Sequence, residues 1–307
     1  MPIKVPDHSP AEMALQEEGV DVIADALALK QDIRPLRILL LNLMPAKIAT
    51  EVQIARLLSQ TPLQIELCLL TTASYQPRNA PEGHLKAFYR TLGELGAEKF
   101  DGLIVTGAPV ETMPFESVEY WAELSDILAW SKSHVFRRFG ICWGAQALLY
   151  ADFGVGKVQY DKKLFGIYEQ GVQAPRSDLL RGFPDSFLTP VSRWTGLDPA
   201  EIEARPALRV LAESPETGIG LLEHVATGDI FSLNHLEYDT ETLGNEFKRD
   251  QALDATTPLP HNYFPHKSPA ERPANTWRPY GYLMFLNWLT ALYRDTPFDL
   301  SDLKPRR

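Results

Sequence analysis

The chain has 307 residues, 45% of them apolar and 23% charged; the length allows one large domain or two modest ones, and the balance excludes a disordered protein. Forty acidic against thirty basic side chains leave a net charge of −10, which excludes a general nucleic-acid or membrane-surface binder but leaves room for a local basic pocket. Two cysteines, Cys68 and Cys142, cannot build a disulfide scaffold and stand in no Cys/His cluster, so neither disulfides nor a metal site are expected. The opening residues carry no signal-peptide core, and no run approaches ~18 apolar residues. A soluble cytoplasmic protein is the expectation.

The predicted elements alternate. Residues 36–43 (LRILLLNL) form an apolar run of the kind a doubly covered parallel strand requires. A helix is predicted over 50–59, with Thr50 and Gln53 spaced as a capping box. A strand follows at 64–70 (QIELCLL), then a helix over 84–95 with Leu85, Phe88, Leu92 and Leu95 on one face. Strand 102–106, helix 116–130, strand 135–141 and helix 145–150 continue the pattern, which gives parallel strands with crossover helices. The expected fold is α/β, a layered and mainly parallel sheet with flanking helices. The second half is less regular, with short strands at 165–172, 210–212, 219–222 and 229–233. Six prolines within 257–279 exclude regular helix or central strand there, and a last helix spans 280–293. With no repeat and no clear linker, 1–307 reads as a single domain, residues 1–34 forming an N-terminal extension.

The most informative stretch is 139–146, Phe-Gly-Ile-Cys-Trp-Gly-Ala-Gln. An apolar strand enters Gly-x-Cys-x-Gly and a helix leaves it, the cysteine form of a nucleophile elbow. So sharp a turn needs small residues two before and two after the nucleophile, here Gly140 and Gly144. It presents the sulfur above the carboxyl edge of the sheet, where open α/β sheets bind ligands, and beside a helix N-terminus that favours thiolate. The plainer alternative is a buried cysteine between glycines that merely allow close packing; the flanking strand and helix argue against it. Cys68, inside QIELCLL with no turn, is expected in the core.

A cysteine nucleophile needs a base and a group to orient it. Of seven histidines, His235 directly follows the predicted strand 229–233, which puts it at the same sheet edge as Cys142. In extended chain i and i+2 point the same way, so Glu237 is placed to hold the second ring nitrogen. Cys142, His235 and Glu237 make a workable triad.

The elbow followed by His-x-Glu resembles class I glutamine amidotransferases, with their flavodoxin-like layered sheet. More narrowly, the whole chain resembles the homoserine O-acyltransferases of the MetA family. The strings that carry the resemblance are MPIKVPD at 1–7, RPLRILLLNLMPAKIATE at 34–51, FDGLIVTGAPVE at 100–111 and ICWGAQA at 141–147. KKLFG at 162–166, LLRGFPDSF at 179–187 and NTWRP at 275–279 extend it nearly end to end.

The resemblance implies a two-step acyl transfer, the first committed step of methionine biosynthesis. Cys142 takes the acyl group from an acyl-CoA co-substrate as a thioester, and the homoserine hydroxyl then collects it. His235 is the general base and Glu237 its orienter. Lys47 is implied near the active site in support of the oxyanion, with the backbone N–H of Trp143 as second donor. Lys163, Ser192 and Arg249 are implied as substrate-binding residues, Arg249 gripping the α-carboxylate of homoserine. Position 111 influences the donor in this family. A glycine leaves room for the distal carboxylate of a succinyl group, whereas Glu111 fills that space and repels the charge, so acetyl-CoA is the expected donor. No cofactor beyond the acyl-CoA is implied, and the family habit is a homodimer.

The chain departs from the family at three places. Asn234 and Leu236 flank His235 where glycine and proline are common, Trp194 replaces a smaller ring or histidine, and Tyr280 stands where a histidine often follows Trp-Arg. These bear on loop geometry and on the acceptor pocket. Two enzyme readings compete with the acetyltransferase: a homoserine O-succinyltransferase and a glutaminase-type amidohydrolase. A catalytically dead binding relative is a third, against which the intact Cys142, His235 and Glu237 argue.

Overall fold

A computed structural model describes residues 3–4, 9–17, 22–23, 34–74 and 82–305. In chain order the first half holds β1 (Ile3–Lys4), α1 (Pro10–Glu17), β2 (Val22–Ile23), β3 (Leu36–Leu41), α2 (Lys47–Leu58) and β4 (Ile65–Leu70). It continues with α3 (Glu82–Phe88), β5 (Tyr89–Arg90), α4 (Leu92–Leu95), β6 (Phe100–Val105), α5 (Trp121–His134), β7 (Val135–Ile141) and α6 (Trp143–Phe153). The second half holds β8 (Val158–Val172), β9 (Ser186–Gly196), α7 (Pro199–Glu203), β10 (Leu208–Ser214), β11 (Gly218–His224), β12 (Ile230–Ser232), α8 (Thr242–Leu253) and α9 (Arg278–Asp295).

Among the described residues all strands join one 12-stranded sheet in the order β2-β1-β4-β3-β6-β7-β12-β11-β10-β8-β9, with β5 beside β4. The sheet is parallel from β2 to β12 and antiparallel beyond, through β11, β10, β8 and β9. The parallel strands read as apolar runs because helices cover both faces. Ile38 and Leu40 of β3 pack with Ile54 and Leu58 of α2 and Phe285 and Leu289 of α9. Leu39 and Leu41, pointing the other way, pack with Leu124 and Leu128 of α5 and Leu148 of α6. The layered α/β architecture follows the expectation. Of the proposed extension at 1–34, β1 is itself sheet, pairing Ile3 with Ile65; most of the rest lies outside the described residues.

Several boundaries are corrected. The helix predicted from Thr50 begins at Lys47 with Ala46 as its N-cap. The Thr50 N–H already bonds Ala46 O inside the helix, so Thr50 and Gln53 form no capping box. Gln53 instead donates to Thr242 Oγ1 at 3.2 Å; the capping box of this region is Thr91 with Glu94. The single helix over 84–95 is broken by β5, since Tyr89 and Arg90 pair with Leu69 and Leu70. The helix over 116–130 runs instead over Trp121–His134, after a 3₁₀ turn at Phe115–Ser117. Strand β8 starts seven residues earlier than the expected 165 (158 against 165). Strand β9 was hidden by Pro190, which is tolerated because β9 is an edge paired only with β8. Helix α8 was unpredicted, as it shows few apolar residues. The proline-rich stretch 257–279 holds a 3₁₀ turn, the start of α9 and a single parallel bridge from His261 to Gly166 of β8.

Candidate active site

The carboxyl ends of β3, β6, β7 and β12 converge on Cys142. Its backbone stands at φ 52, ψ −118, between the last residue of β7 and the first of α6. A positive φ in a residue with a Cβ costs on the order of 1–3 kcal/mol, and such strain gathers at functional sites. The surroundings enforce the turn. Cys142 N–H donates to Ser232 O at 2.7 Å, tying the elbow to the end of β12. A Cβ on Gly140 would sit 2.5 Å from Ala145 Cα, and one on Gly144 would sit 2.4 Å from Val105 O. Both glycines are therefore demanded by close backbone approach, as the elbow reading required. Gly107, in the loop after β6, comes so close that a Cβ there would lie 3.4 Å from the Cys142 Cβ.

His235 and Glu237 complete the expected set. His235 Nδ1 meets Glu237 Oε1 at 2.6 Å, and its ring stacks on Tyr238 with centroids 4.2 Å apart. The other nitrogen, Nε2, is buried without a conventional hydrogen-bond partner, and the Cys142 sulfur interacts with the ring. Burial by itself pulls the imidazole down. Glu237 and the Cys142 sulfur outweigh it and hold His235 well above its ordinary value. The arrangement suits an imidazolium–thiolate pair in which the histidine first takes, then returns, a proton. Cys68, by contrast, lies in β4 with Sγ 3.8 Å from Glu66; burial pushes its thiol up to about 11, with Glu66 adding to the rise.

Trp143 begins α6 with its ring wholly buried, in an aromatic cluster with Phe115, Tyr120 and Trp121. Its N–H belongs to the first helical turn, where no intrahelical acceptor exists, so it remains available to an oxyanion at Cys142. Lys47 is the first residue of α2 and is buried. Its Nζ donates to Asn42 O and lies 5.7 Å from the Tyr89 ring centroid. Glu51 next to it accepts from Tyr89 Oη at 2.6 Å and meets His84 Nε2 at 2.9 Å. Burial pulls Lys47 down to about 8 against the opposing pull of Glu51. Among the described residues no hydrogen bond or ion pair joins Lys47 to the triad.

The three residues implied for substrate gather around an acid the sequence reading passed over. Ser192 Oγ donates to Glu246 Oε2 at 2.5 Å, Lys163 Nζ lies 3.5 Å from the same oxygen, and Tyr238 Oη donates to Oε1 at 2.8 Å. Lys163 also meets Asp250 at 2.9 Å. Arg249, on the same helix, pairs with Asp250 at 2.7 Å, its side chain 63% exposed at the rim. Glu246 precedes Arg249 by three residues and so shares its face of α8; with no helix predicted there, the signal went unread. Glu111 accepts from the Trp194 backbone N–H at 2.9 Å. Burial raises its carboxyl, while that hydrogen bond and the charges of Lys163, His235 and Arg193 pull it back. The structure thus brings Glu111 into the field of the triad and of the Lys163–Ser192 cluster.

Comparison with known proteins agrees with this geometry. The sequence profile described as "HTS: Homoserine O-succinyltransferase" matches residues 2–298. The chain belongs to this family. A homoserine O-acetyltransferase of Sinorhizobium fredii is 46% identical over 303 residues, 99% of either chain. One of Novosphingobium aromaticivorans is 48% identical over 303 residues, again 99% of each. Among solved structures, a glutamine amidotransferase from Methylobacillus flagellatus superposes with a TM-score of 0.55 at 12% identity, covering 87% of this chain and 99% of its own. A glutamine amidotransferase from Thermotoga maritima gives 0.51 at 12% identity, covering 85% and 97%. These establish the class I glutamine amidotransferase-like fold.

Proposed function

We propose that the chain is a homoserine O-acetyltransferase, acting at the first committed step of methionine biosynthesis in the cytoplasm as a homodimer. The Cys142 sulfur attacks the carbonyl of acetyl-CoA, a tetrahedral intermediate collapses, and CoA leaves as its thiol with a proton from His235. His235 then takes the proton of the homoserine hydroxyl as that oxygen attacks the thioester, and Cys142 is released. Glu237 keeps the imidazole in its working tautomer and supports its positive charge. Trp143 N–H, with Lys47 moved from Asn42 O, steadies the oxyanion. Ser192, Lys163 and Arg249 receive the acceptor.

The observation that supports the acetyl donor is Glu111, held by Trp194 N–H within the field of His235 and Lys163. A succinyl carboxylate about 4 Å from it, at an effective dielectric near 20, meets about 4 kcal/mol of repulsion, which acetyl avoids. The relatives named homoserine O-acetyltransferase point the same way, and homoserine O-succinyltransferase is the second reading, favoured by the family's own description.

Intact mass and CoA release test the proposal. Incubation with acetyl-CoA should add one acetyl group at Cys142, and homoserine should discharge it. A larger adduct yield with succinyl-CoA replaces the donor; glutamine hydrolysis without either adduct replaces the reaction.

A further inference from the structure

The edge of the sheet opposite Cys142 carries a cavity of 350 Å³. It lies where β7 and β12 begin: Arg137 and Ile230 line it, whereas Cys142 and His235 follow the far ends of the same two strands. Arg137 and Cys142 are five residues apart (142 − 137), about 16 Å along an extended strand. The end of β11, the start of β10, the last turns of α9 and the 3₁₀ turn Asp178–Leu180 close the cavity round. It is therefore separate from the site described above.

Four arginines line it, Arg137, Arg176, Arg209 and Arg294, against two acids, Asp178 and Glu223. The cation excess stands out in a chain of net charge −10. Arg193, elsewhere, is fully buried, pairs with no carboxylate among the described residues and is anchored on Thr217 O at 2.6 Å. The arginines of the cavity keep access to solvent, Arg209 and Arg294 with side chains 50% and 52% exposed.

These guanidiniums already gather oxygens. Arg137 Nη2 and Arg294 Nη2 donate to one atom, Asp295 Oδ2, at 2.7 and 2.9 Å. Arg137 is built into its place. Its Nε donates to Thr227 O at 3.3 Å, and a Cβ on Gly228 would lie 2.6 Å from that nitrogen. Arg294 also reaches Asp178 at 2.9 Å, and Arg209 Nε donates to Glu223 Oε1 at 2.8 Å. Arg176 is exposed and makes no hydrogen bond or ion pair among the described residues. Ion pairs this open to water are weak, so a better anion displaces them.

The lining selects that anion. A monocarboxylate offers only what Asp178, Glu223 and Asp295 already supply within the chain. A phosphate monoester brings a charge near −2 and three acceptor oxygens, which match guanidinium forks two N–H groups at a time. Leu179, Ile230 and Trp288 add apolar wall, and cavities of about 300–1,000 Å³ take organic ligands rather than bare ions.

We propose that this cavity is a second ligand site, for an organic phosphate monoester whose phosphate is held by Arg176, Arg209 and Arg294 and whose body lies against Ile230 and Trp288. The inference goes beyond acyl transfer and needs neither the donor nor the acceptor of Cys142.

Isothermal titration of the full chain, free of acyl-CoA, with adenosine monophosphate, inorganic phosphate and succinate tests it. Adenosine monophosphate should saturate one site per chain with Kd of about 1 mM or tighter, and the other two should bind at least about tenfold more weakly. Arg176→Ser and Arg294→Ser should each weaken it about tenfold, while iodoacetamide alkylates Cys142 at the natural rate. Should Arg294→Ser not fold, Arg176→Glu reverses a charge that holds nothing else together and must abolish binding. No saturation up to about 5 mM, binding unchanged in folded Arg176→Glu, or succinate or inorganic phosphate as tight as adenosine monophosphate each overturns the proposal.

Discussion

The Glu111 carboxylate accepts the Trp194 backbone N–H at 2.9 Å, so the loop after β6 is tied to the edge strand β9. Replacing Glu111 by glycine removes both the bulk and the charge that oppose a succinyl carboxylate. The ratio of kcat/KM for acetyl-CoA over succinyl-CoA should fall by between about ten- and a thousandfold, the lower figure allowing for solvent screening at a partly exposed group. An unchanged ratio would remove Glu111 from donor choice.

Glu237 should govern stability as well as rate, with a definite sign in pH. His235 is held well above its ordinary value by Glu237 and Cys142 against burial. A group raised on folding contributes stability that is complete below its unfolded value near 6.5 and lost as pH rises through the folded one. Glu237→Gln should therefore be most destabilised relative to the natural protein in mild acid, the gap closing toward alkaline pH. Thermal unfolding of both proteins across that range measures it; a gap that widens with pH contradicts the pairing.

Gly144 should tolerate no side chain. A Cβ there would meet Val105 O at 2.4 Å and Thr106 O at 2.5 Å, both backbone atoms that cannot swing aside. Gly144→Ala should cost about 1–3 kcal/mol in denaturant unfolding. It should also lose acyl transfer, because the loop after β6 must retreat from Cys142.

Lys47 offers a titration. Burial pulls it down to about 8, so it is charged below that pH and neutral above it. If its charge serves the oxyanion, kcat/KM falls through an alkaline limb centred on about 8, and Lys47→Arg moves that limb beyond the measurable range because guanidinium stays charged. A natural profile that stays flat through pH 8 takes the Lys47 charge out of the reaction.

Most of the parallel half was legible because apolar runs of strand length, separated by helical periodicity, admit little else. The elbow was legible for a stricter reason: Gly140 and Gly144 are required by backbone approaches of 2.5 and 2.4 Å, and such demands leave a mark in local sequence. The boundaries failed where tertiary pairing outvoted local pattern. Tyr89 has helical spacing but joins the sheet beside Leu69, and Pro190 disguises a strand that only an edge position allows.

The opening count of two cysteines and the excess of acid argued against a disulfide scaffold and broad anionic partners, and the motif around Cys142 with His235 and Glu237 marked the candidate reacting groups. These are short-range facts: a turn, its glycines and a His-x-Glu pair are written in consecutive letters, although the structure sets His235 and Glu237 on a turn, with Tyr238 N–H donating to His235 O at 3.3 Å, and not in extended chain. Glu246 among Ser192, Lys163 and Tyr238, Lys47 turned onto Asn42, and Arg193 buried without a counter-ion were decided only in three dimensions. The first and the last depend on β8, β9 and α8 meeting across long stretches of chain, Lys47 on a turn five residues long, and the energy of a charge is set by what surrounds it in space. The net charge of −10 carried no trace of the guanidinium buried at Arg193.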